Sequence, residues 1–296
     1  MDDVTGRPRL DMSPSCYRAL HEDLRSLTDD QLAEHYHLFG EDEGRCAHPL
    51  CFTELLRSSI QPTEDVLEIG PYVYPKIHGD RVKYFDVLDG AGLLARAAAI
   101  GYPGQIEPKI DYVSPTGDLA IVDQNAFDVV FSCHCLEHVP DLIRHLDEVA
   151  RILRPGGRYI LMLPDKRFCH DHYMPTSRVA DVIQAHHERR TIHNLASFIE
   201  GGAFVTHNDS KRHWSGDHGV PKILEEPNAI PTAMQSYLDA DGRYTDMHAW
   251  WFTPRSFREI LLQLASVQLT RLRPDIVLGT PRDRNTFNAI LTLVSQ

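Results

Sequence analysis

Short apolar runs alternate along this chain with stretches of helical periodicity, and the two periods together lay out a sheet with covering helices. Asp65-Val66-Leu67-Glu68-Ile69-Gly70 predicts a strand over 65–69 that ends in an acidic residue and a glycine. Val82-Lys83-Tyr84-Phe85 predicts a second over 82–85, ending at Asp86. The alanine- and leucine-rich segment 92–100 predicts a helix packed on the sheet. Further strands are predicted at 110–113 and 127–131. Helix 141–153 follows, with Leu142, Leu146, Val149, Ala150 and Leu153 on one face. The turn Arg154-Pro155-Gly156-Gly157 then leads into a strand over 159–163.

After Pro164 the regular pattern stops for nearly ninety residues. It resumes at Thr253-Pro254, an N-cap threonine with proline at the first helical position. A helix over 255–265 and strands over 269–273 and 286–294 close the chain. Ahead of the sheet, Thr28-Asp29-Asp30-Gln31 has the form of a capping box. It opens a helix through Leu32, Tyr36 and Phe39 that Gly40 stops. The expected organisation is a helical cap (1–62), an α/β core (63–164), an insertion (165–250) and a return to the core sheet (251–296). No internal repeat is present in the sequence.

Composition narrows the classes. With 42% hydrophobic and 24% charged residues the chain reads as an ordinary globular protein. Its net charge of −12 argues against a nucleic-acid partner, since phosphate binding needs a basic surface. No apolar run approaches the ~20 residues that cross a bilayer, and no membrane association is expected. The polar start Met1-Asp2-Asp3-Val4-Thr5-Gly6-Arg7 lacks the apolar core of a signal peptide. The six cysteines (Cys16, Cys46, Cys51, Cys133, Cys135, Cys169) form no Cys-x-x-Cys pair, so reduced thiols and a cytoplasmic location are expected.

Three segments carry a resemblance: Asp65-Val66-Leu67-Glu68-Ile69-Gly70-Pro71, Phe127-Asp128-Val129-Val130-Phe131, and Leu136-Glu137-His138-Val139. Their order and strand-end residues resemble the class I S-adenosylmethionine-dependent methyltransferases, and the resemblance covers most of the chain. It implies a doubly wound, Rossmann-like α/β fold with a seven-stranded sheet, mostly parallel, in which an antiparallel last strand inserts beside the fifth. It implies S-adenosylmethionine as cofactor and a small-molecule acceptor; a homodimer is compatible with the sequence. The family's glycine-rich loop is here reduced to Gly70, with Pro71-Tyr72-Val73-Tyr74-Pro75 in place of the rest.

The resemblance assigns residues around the cofactor. Glu68 sits at a strand end to receive the ammonium, beside Gly70 and Pro71. Asp86, eighteen residues after Glu68, is near the ~20-residue spacing of a ribose-binding carboxylate. Asp89 competes with it, or caps the following helix. Asp118, after Gly117, is placed for the adenine amino group, or is a turn aspartate. His134 and His138 flank a segment running beneath the sulfonium end. His134, Glu137 and His138 also spell His-x-x-Glu-His, a spacing that suits a metal. The expectation is nevertheless a cofactor-shaping segment that holds no metal.

Nine of the seventeen histidines lie between 165 and 250, with Trp214, Trp250 and Trp251. Aromatic faces beside polar groups suit a sugar or other polyhydroxylated ligand. His35 to Arg45 also resembles a short element appended to bacterial polysaccharide glycosyltransferases, or is simply a packing element. O-methylation of a sugar or related metabolite is therefore expected. N- or C-methylation of another small molecule or amino-acid side chain is the alternative, as is S-adenosylmethionine binding without transfer. Methylation of an alcohol needs a group that accepts its proton. Asp165 and His170, leaving the carboxyl end of the fifth strand, are the candidates, with His134 as a third.

Overall fold

A computed structural model describes residues 9–102 and 106–294. The polar heptapeptide at the N-terminus lies outside the described residues. Three helices precede the sheet: α1 (Pro14–Leu20), α2 (Asp29–His35) and α3 (Thr53–Ser58). The capping box at α2 forms as the sequence predicts, with the Thr28 hydroxyl accepting from Gln31 N and the Gln31 side chain from Thr28 N. Strands β1 (Val66–Ile69) and β2 (Val82–Asp86), helix α4 (Gly90–Ala99), and strands β3 (Tyr112–Val113) and β4 (Phe127–Cys133) follow. Helix α5 (Leu142–Ile152) leads to β5 (Leu153–Pro164). Helices α6 (Val179–His187), α7 (Leu195–Ala203), α8 (Ser210–Trp214), α9 (Lys222–Glu225) and α10 (Ala229–Ala240) occupy the insertion. Helix α11 (Pro254–Ser266) and strands β6 (Leu272–Val277) and β7 (Thr286–Leu293) complete the chain.

The strands form one sheet in the order β3-β2-β1-β4-β5-β7-β6. β1 to β5 are mutually parallel, while β7 runs antiparallel between β5 and β6. This is the expected doubly wound arrangement, with the last strand inserted beside the fifth. Alternation along each strand feeds two cores. Leu67, Val130, Leu161 and Ala289 face a core shared with α5, α6 and α11. Val66, Val129, Phe131, Ile160 and Ile290 face another beside Leu56 of α3. Burial on both faces explains why the strands read as continuous apolar runs.

Three expectations are corrected in detail. The insertion is helical rather than irregular; its helices are short and bury few side chains, so the apolar period is weak. β6 starts at Leu272, not at 269, and runs through Pro274, tolerated because β6 lies at the sheet edge. The turn 154–157 sits within β5, where the register with β4 jumps from Phe127↔Leu153 to Val129↔Arg158. Among the described residues no helix is long and apolar enough to cross a membrane.

Candidate functional site

The carboxyl ends of β1, β2 and β4 lie side by side, and the loops leaving them build the site. Gly70 follows β1 with φ +68, and a Cβ there would sit 2.9 Å from Cys135 Sγ in the segment after β4. Glycine is required twice over, for conformation and for closeness. Gly70→Ala is expected to lose roughly 2–4 kcal/mol in urea unfolding, combining the left-handed cost with overpacking. Gly101 has φ +72, and among the described residues no atom lies within 4 Å of where its Cβ would sit. Gly101→Ala should lose only the conformational part, and equal losses at the two sites would contradict the packing argument.

Glu68 is buried on β1, its carboxylate accepting from Lys76 N (2.8 and 3.1 Å) and Ile77 N (2.9 Å). It therefore ties down the loop that follows β1. Burial pushes its carboxyl up to about 7, against the lowering effect of those amides. A folded-state pKa above the unfolded value gives stability that is complete below about 4.3 and lost as pH rises through about 7. Urea unfolding at pH 5 and pH 8 should show the wild type losing roughly 3 kcal/mol relative to Glu68→Gln. Parallel pH dependence of the two proteins would contradict the assignment.

Asp86 ends β2 almost fully buried, accepting from Val87 N at 2.7 Å and Tyr72 N at 3.2 Å. Burial raises its pKa. It thus joins the loop after β1 to the loop after β2, with Pro71 between Gly70 and the bonded Tyr72. Asp89 caps α4, accepting from Gly92 N at 2.8 Å. Asp118 caps the turn Leu119–Ile121 and pairs with Arg144 at 2.5 Å.

The segment after β4 turns sharply at His134, whose φ is +50, and winds through the turn Leu136–His138. That turn carries Glu137 inward, fully buried, with neither carboxylate oxygen hydrogen-bonded among the described residues. Three imidazoles face its Oε1: His134 Nδ1 at 3.9 Å, His138 Nε2 at 3.8 Å and His248 Nε2 at 3.9 Å. The Glu137 carbonyl accepts from Ala249 N at 2.7 Å, which pins the distant His248 against the turn. The other nitrogen is hydrogen-bonded in two rings, His134 Nε2 with Thr286 Oγ1 at 2.8 Å and His248 Nδ1 with Asp171 Oδ2 at 2.6 Å, while His138 Nδ1 stands 2.9 Å from Asp246 Oδ1 as an ion-pair contact without hydrogen-bond alignment.

The ionisation pattern follows from these contacts. Burial works to raise the Asp246 carboxyl, but His138 and Arg96 outweigh it and hold it at about 2. Burial pulls the His248 imidazole down, yet the bond to Asp171 leaves it raised overall. Burial also opposes ionisation of Asp171, but the same bond leaves its pKa lowered. His134 and His170 have no such bond, and burial lowers both.

The structure brings His134, His138 and His170 into this cluster. His170 Nε2 lies 3.4 Å from Asp171 Oδ1 and its ring 5.1 Å from that of His248. Asp165 is elsewhere committed: fully buried, it receives a fork from Arg167 and the Thr280 hydroxyl at 2.6 Å. It anchors the loop after β5 and has no oxygen free of a donor. The sequence offered Asp171 either as a carboxylate that orients a histidine or as a turn residue, and its bond to His248 fits the first; sequence reasoning missed Asp246 and above all His248. Proximity across 110 residues leaves no local spacing to read, and only the richness of histidine in the insertion hinted at it.

Residues 91–161 match the family described as a methyltransferase domain. An uncharacterized methyltransferase of Mycobacteroides abscessus is 27% identical over 174 residues, covering 56% of this chain and 60% of that protein. A highly reducing polyketide synthase of Gibberella zeae is 27% identical over 95 residues, which are 32% of this chain and 4% of the synthase. The chain thus spans less than two thirds of either curated relative. Among solved structures, a SAM-dependent methyltransferase from Methanosarcina mazei is 18% identical, with a TM-score of 0.41 and coverage of 82% of this chain and 98% of that one. The Burkholderia thailandensis 1,6-didemethyltoxoflavin-N1-methyltransferase, with bound 1,6-didemethyltoxoflavin and S-adenosylhomocysteine, is 14% identical with a TM-score of 0.42, covering 99% and 97%. From the first turn of α4 to the middle of β5, this chain matches the methyltransferase domain family.

Proposed function

We propose that this protein is an S-adenosylmethionine-dependent methyltransferase that transfers the methyl group to an oxygen of a small polyhydroxylated acceptor. The observation that carries the activity is the match of residues 91–161 to the methyltransferase domain family. The loops after β1 and β2 suit the cofactor: Gly70 allows a close backbone approach, and Asp86 holds a buried carboxylate where a ribose would lie. When bound, the cofactor supplies an electrophilic methyl group. Gly70, Pro71 and Asp86 are the residues that would hold it. Glu68 and Asp118 would stand beside them, Glu68 holding the loop after β1 through the Lys76 and Ile77 amides and Asp118 paired with Arg144.

An acceptor hydroxyl must lose its proton as the new bond forms. His170 is the residue for that task. Its side chain is partly exposed, it leaves the loop after β5, and burial lowers its pKa so that the imidazole is neutral at pH 7. Asp171 orients the cluster from behind. The oxygen acceptor is favoured by the aromatic and histidine content of the insertion, including the stacked pair Phe168 and Trp214, 3.8 Å between centroids. Labelled S-adenosylmethionine offered with sugars, nucleotide-sugars, amines and peptides tests the reading. Label appearing on hydroxylated acceptors is expected; turnover only on amines or peptides would contradict the acceptor class.

A further inference from the structure

The least expected feature of the site is the carboxylate of Glu137. It is removed from water, with no hydrogen-bond donor on either oxygen, although buried polar groups are paired in the great majority of cases. The groups nearest to it are imidazoles, and they stand 3.8–3.9 Å away, too far to donate a hydrogen bond. One ligand atom from each of Glu137, His138 and His248 lies within 4.8 Å of the others. Ligands about 2.1 Å from a tetrahedral ion stand about 3.4 Å apart, so these groups are gathered somewhat more widely than a loaded site and would close on the ion by a few tenths of an ångström each.

We propose that Glu137, His138 and His248 hold a divalent first-row transition-metal ion of the zinc type. The tautomers support the assignment. His248 Nδ1 is hydrogen-bonded to Asp171 at 2.6 Å, and His138 Nδ1 lies 2.9 Å from the Asp246 carboxylate without a hydrogen bond's alignment; in both rings Nε2 is the atom that faces Glu137. Carboxylates behind metal-bound imidazoles fix ring orientation and raise ligand basicity in this way. Arg96 in turn pairs with Asp246. Two imidazoles and a carboxylate suit zinc, cobalt or iron better than magnesium or calcium, which prefer all-oxygen sets. Three protein ligands leave coordination positions for water or an acceptor oxygen, as in catalytic rather than structural sites.

The sequence pattern His-x-x-Glu-His supplied two of these ligands and the wrong third. His134 keeps its Nδ1 3.9 Å from Glu137 Oε1 but stands outside the closed group, and His248 takes the third place that the spacing offered to His134. The sequence reading expected no metal in this segment, and the proposal departs from that expectation. A second cluster, His172, His213 and His218, is less suited. His213 spends both nitrogens on His218 and on the His207 carbonyl, and His172 stacks on His218 with 3.7 Å between centroids.

The site is testable without cofactor or acceptor, so its failure and the failure of the methyl-transfer reading are distinguishable. The full chain, stripped with chelator and dialysed, is titrated with cobalt(II) and followed by visible absorption, with bound metal counted by elemental analysis. One cobalt per chain is expected, displaced by zinc. Affinity should fall at least a hundredfold in Glu137→Gln and His248→Ala, and about 10- to 100-fold in Asp246→Asn. His218→Ala, in the other cluster, should bind as the wild type does. Absence of stoichiometric cobalt in the wild type would overturn the proposal whatever the variants do. So would retention of wild-type affinity in folded Glu137→Gln and His248→Ala, or loss of the metal in His218→Ala instead.

Discussion

Replacing His170 by alanine is expected to lower kcat by about 10²- to 10⁴-fold, the usual contribution of a positioned general base. The loop that carries it is held at both backbone groups: His170 N donates to Asn208 Oδ1 at 3.3 Å and its carbonyl accepts from Thr206 N at 3.0 Å. The ring is thus presented by a fixed backbone rather than by a free loop. Burial lowers its pKa, so the base is neutral at pH 7, and activity should fall only as pH drops through a value below the ordinary histidine 6.5. The affinity for S-adenosylhomocysteine should be unchanged, since His170 is carried by the loop after β5 and not by the loops after β1 and β2 that hold Gly70 and Asp86. A change confined to KM, or an acid limb that persists in His170→Ala, would move the role to another group. His134 would then be the first to examine, since its imidazole is also kept neutral by burial.

Asp86→Ala is expected to weaken S-adenosylmethionine binding by more than tenfold. A carboxylate that accepts from two ribose hydroxyls makes two charge-assisted hydrogen bonds worth roughly 1.5–3 kcal/mol each. Truncation also releases Tyr72 N and Val87 N, which loosens the loop behind Gly70. Asp86→Asn removes the charge and keeps one of the two backbone acceptors, so it should loosen the loop less than Asp86→Ala does while still weakening binding. Asp89→Ala serves as comparison. It removes the cap of α4, a loss of about 1 kcal/mol in stability, and should leave affinity within a few-fold. Calorimetry on the three variants reads both. If Asp89→Ala proved the more damaging to binding, the ribose carboxylate would lie three residues further on, and the fold would stand.

The sheet was legible because its strands are buried on both faces and end in residues with conformational meaning. β1 closes on Gly70, β2 on Asp86, and α11 begins at Thr253 and Pro254, all signals that act within a few residues. The edge of the sheet was less legible, since Pro274 argues locally against a strand that only an edge position permits. Asp165 illustrates a different difficulty. Its place at the carboxyl end of β5 is what a catalytic carboxylate would have, yet Arg167 and Thr280 take both oxygens. Glu137 illustrates the opposite: nothing in Leu-Glu-His-Val says that its side chain turns inward against imidazoles from 134, 138 and 248. That contact depends on the Ala249 amide reaching the Glu137 carbonyl, a long-range bond with no trace in local spacing.

The most direct test of the account is calorimetric titration of the wild-type chain with S-adenosylmethionine and with S-adenosylhomocysteine. Saturable binding of both at one site per chain, weakened together by Asp86→Ala, is the predicted result. Absence of binding to either ligand would contradict the central claim.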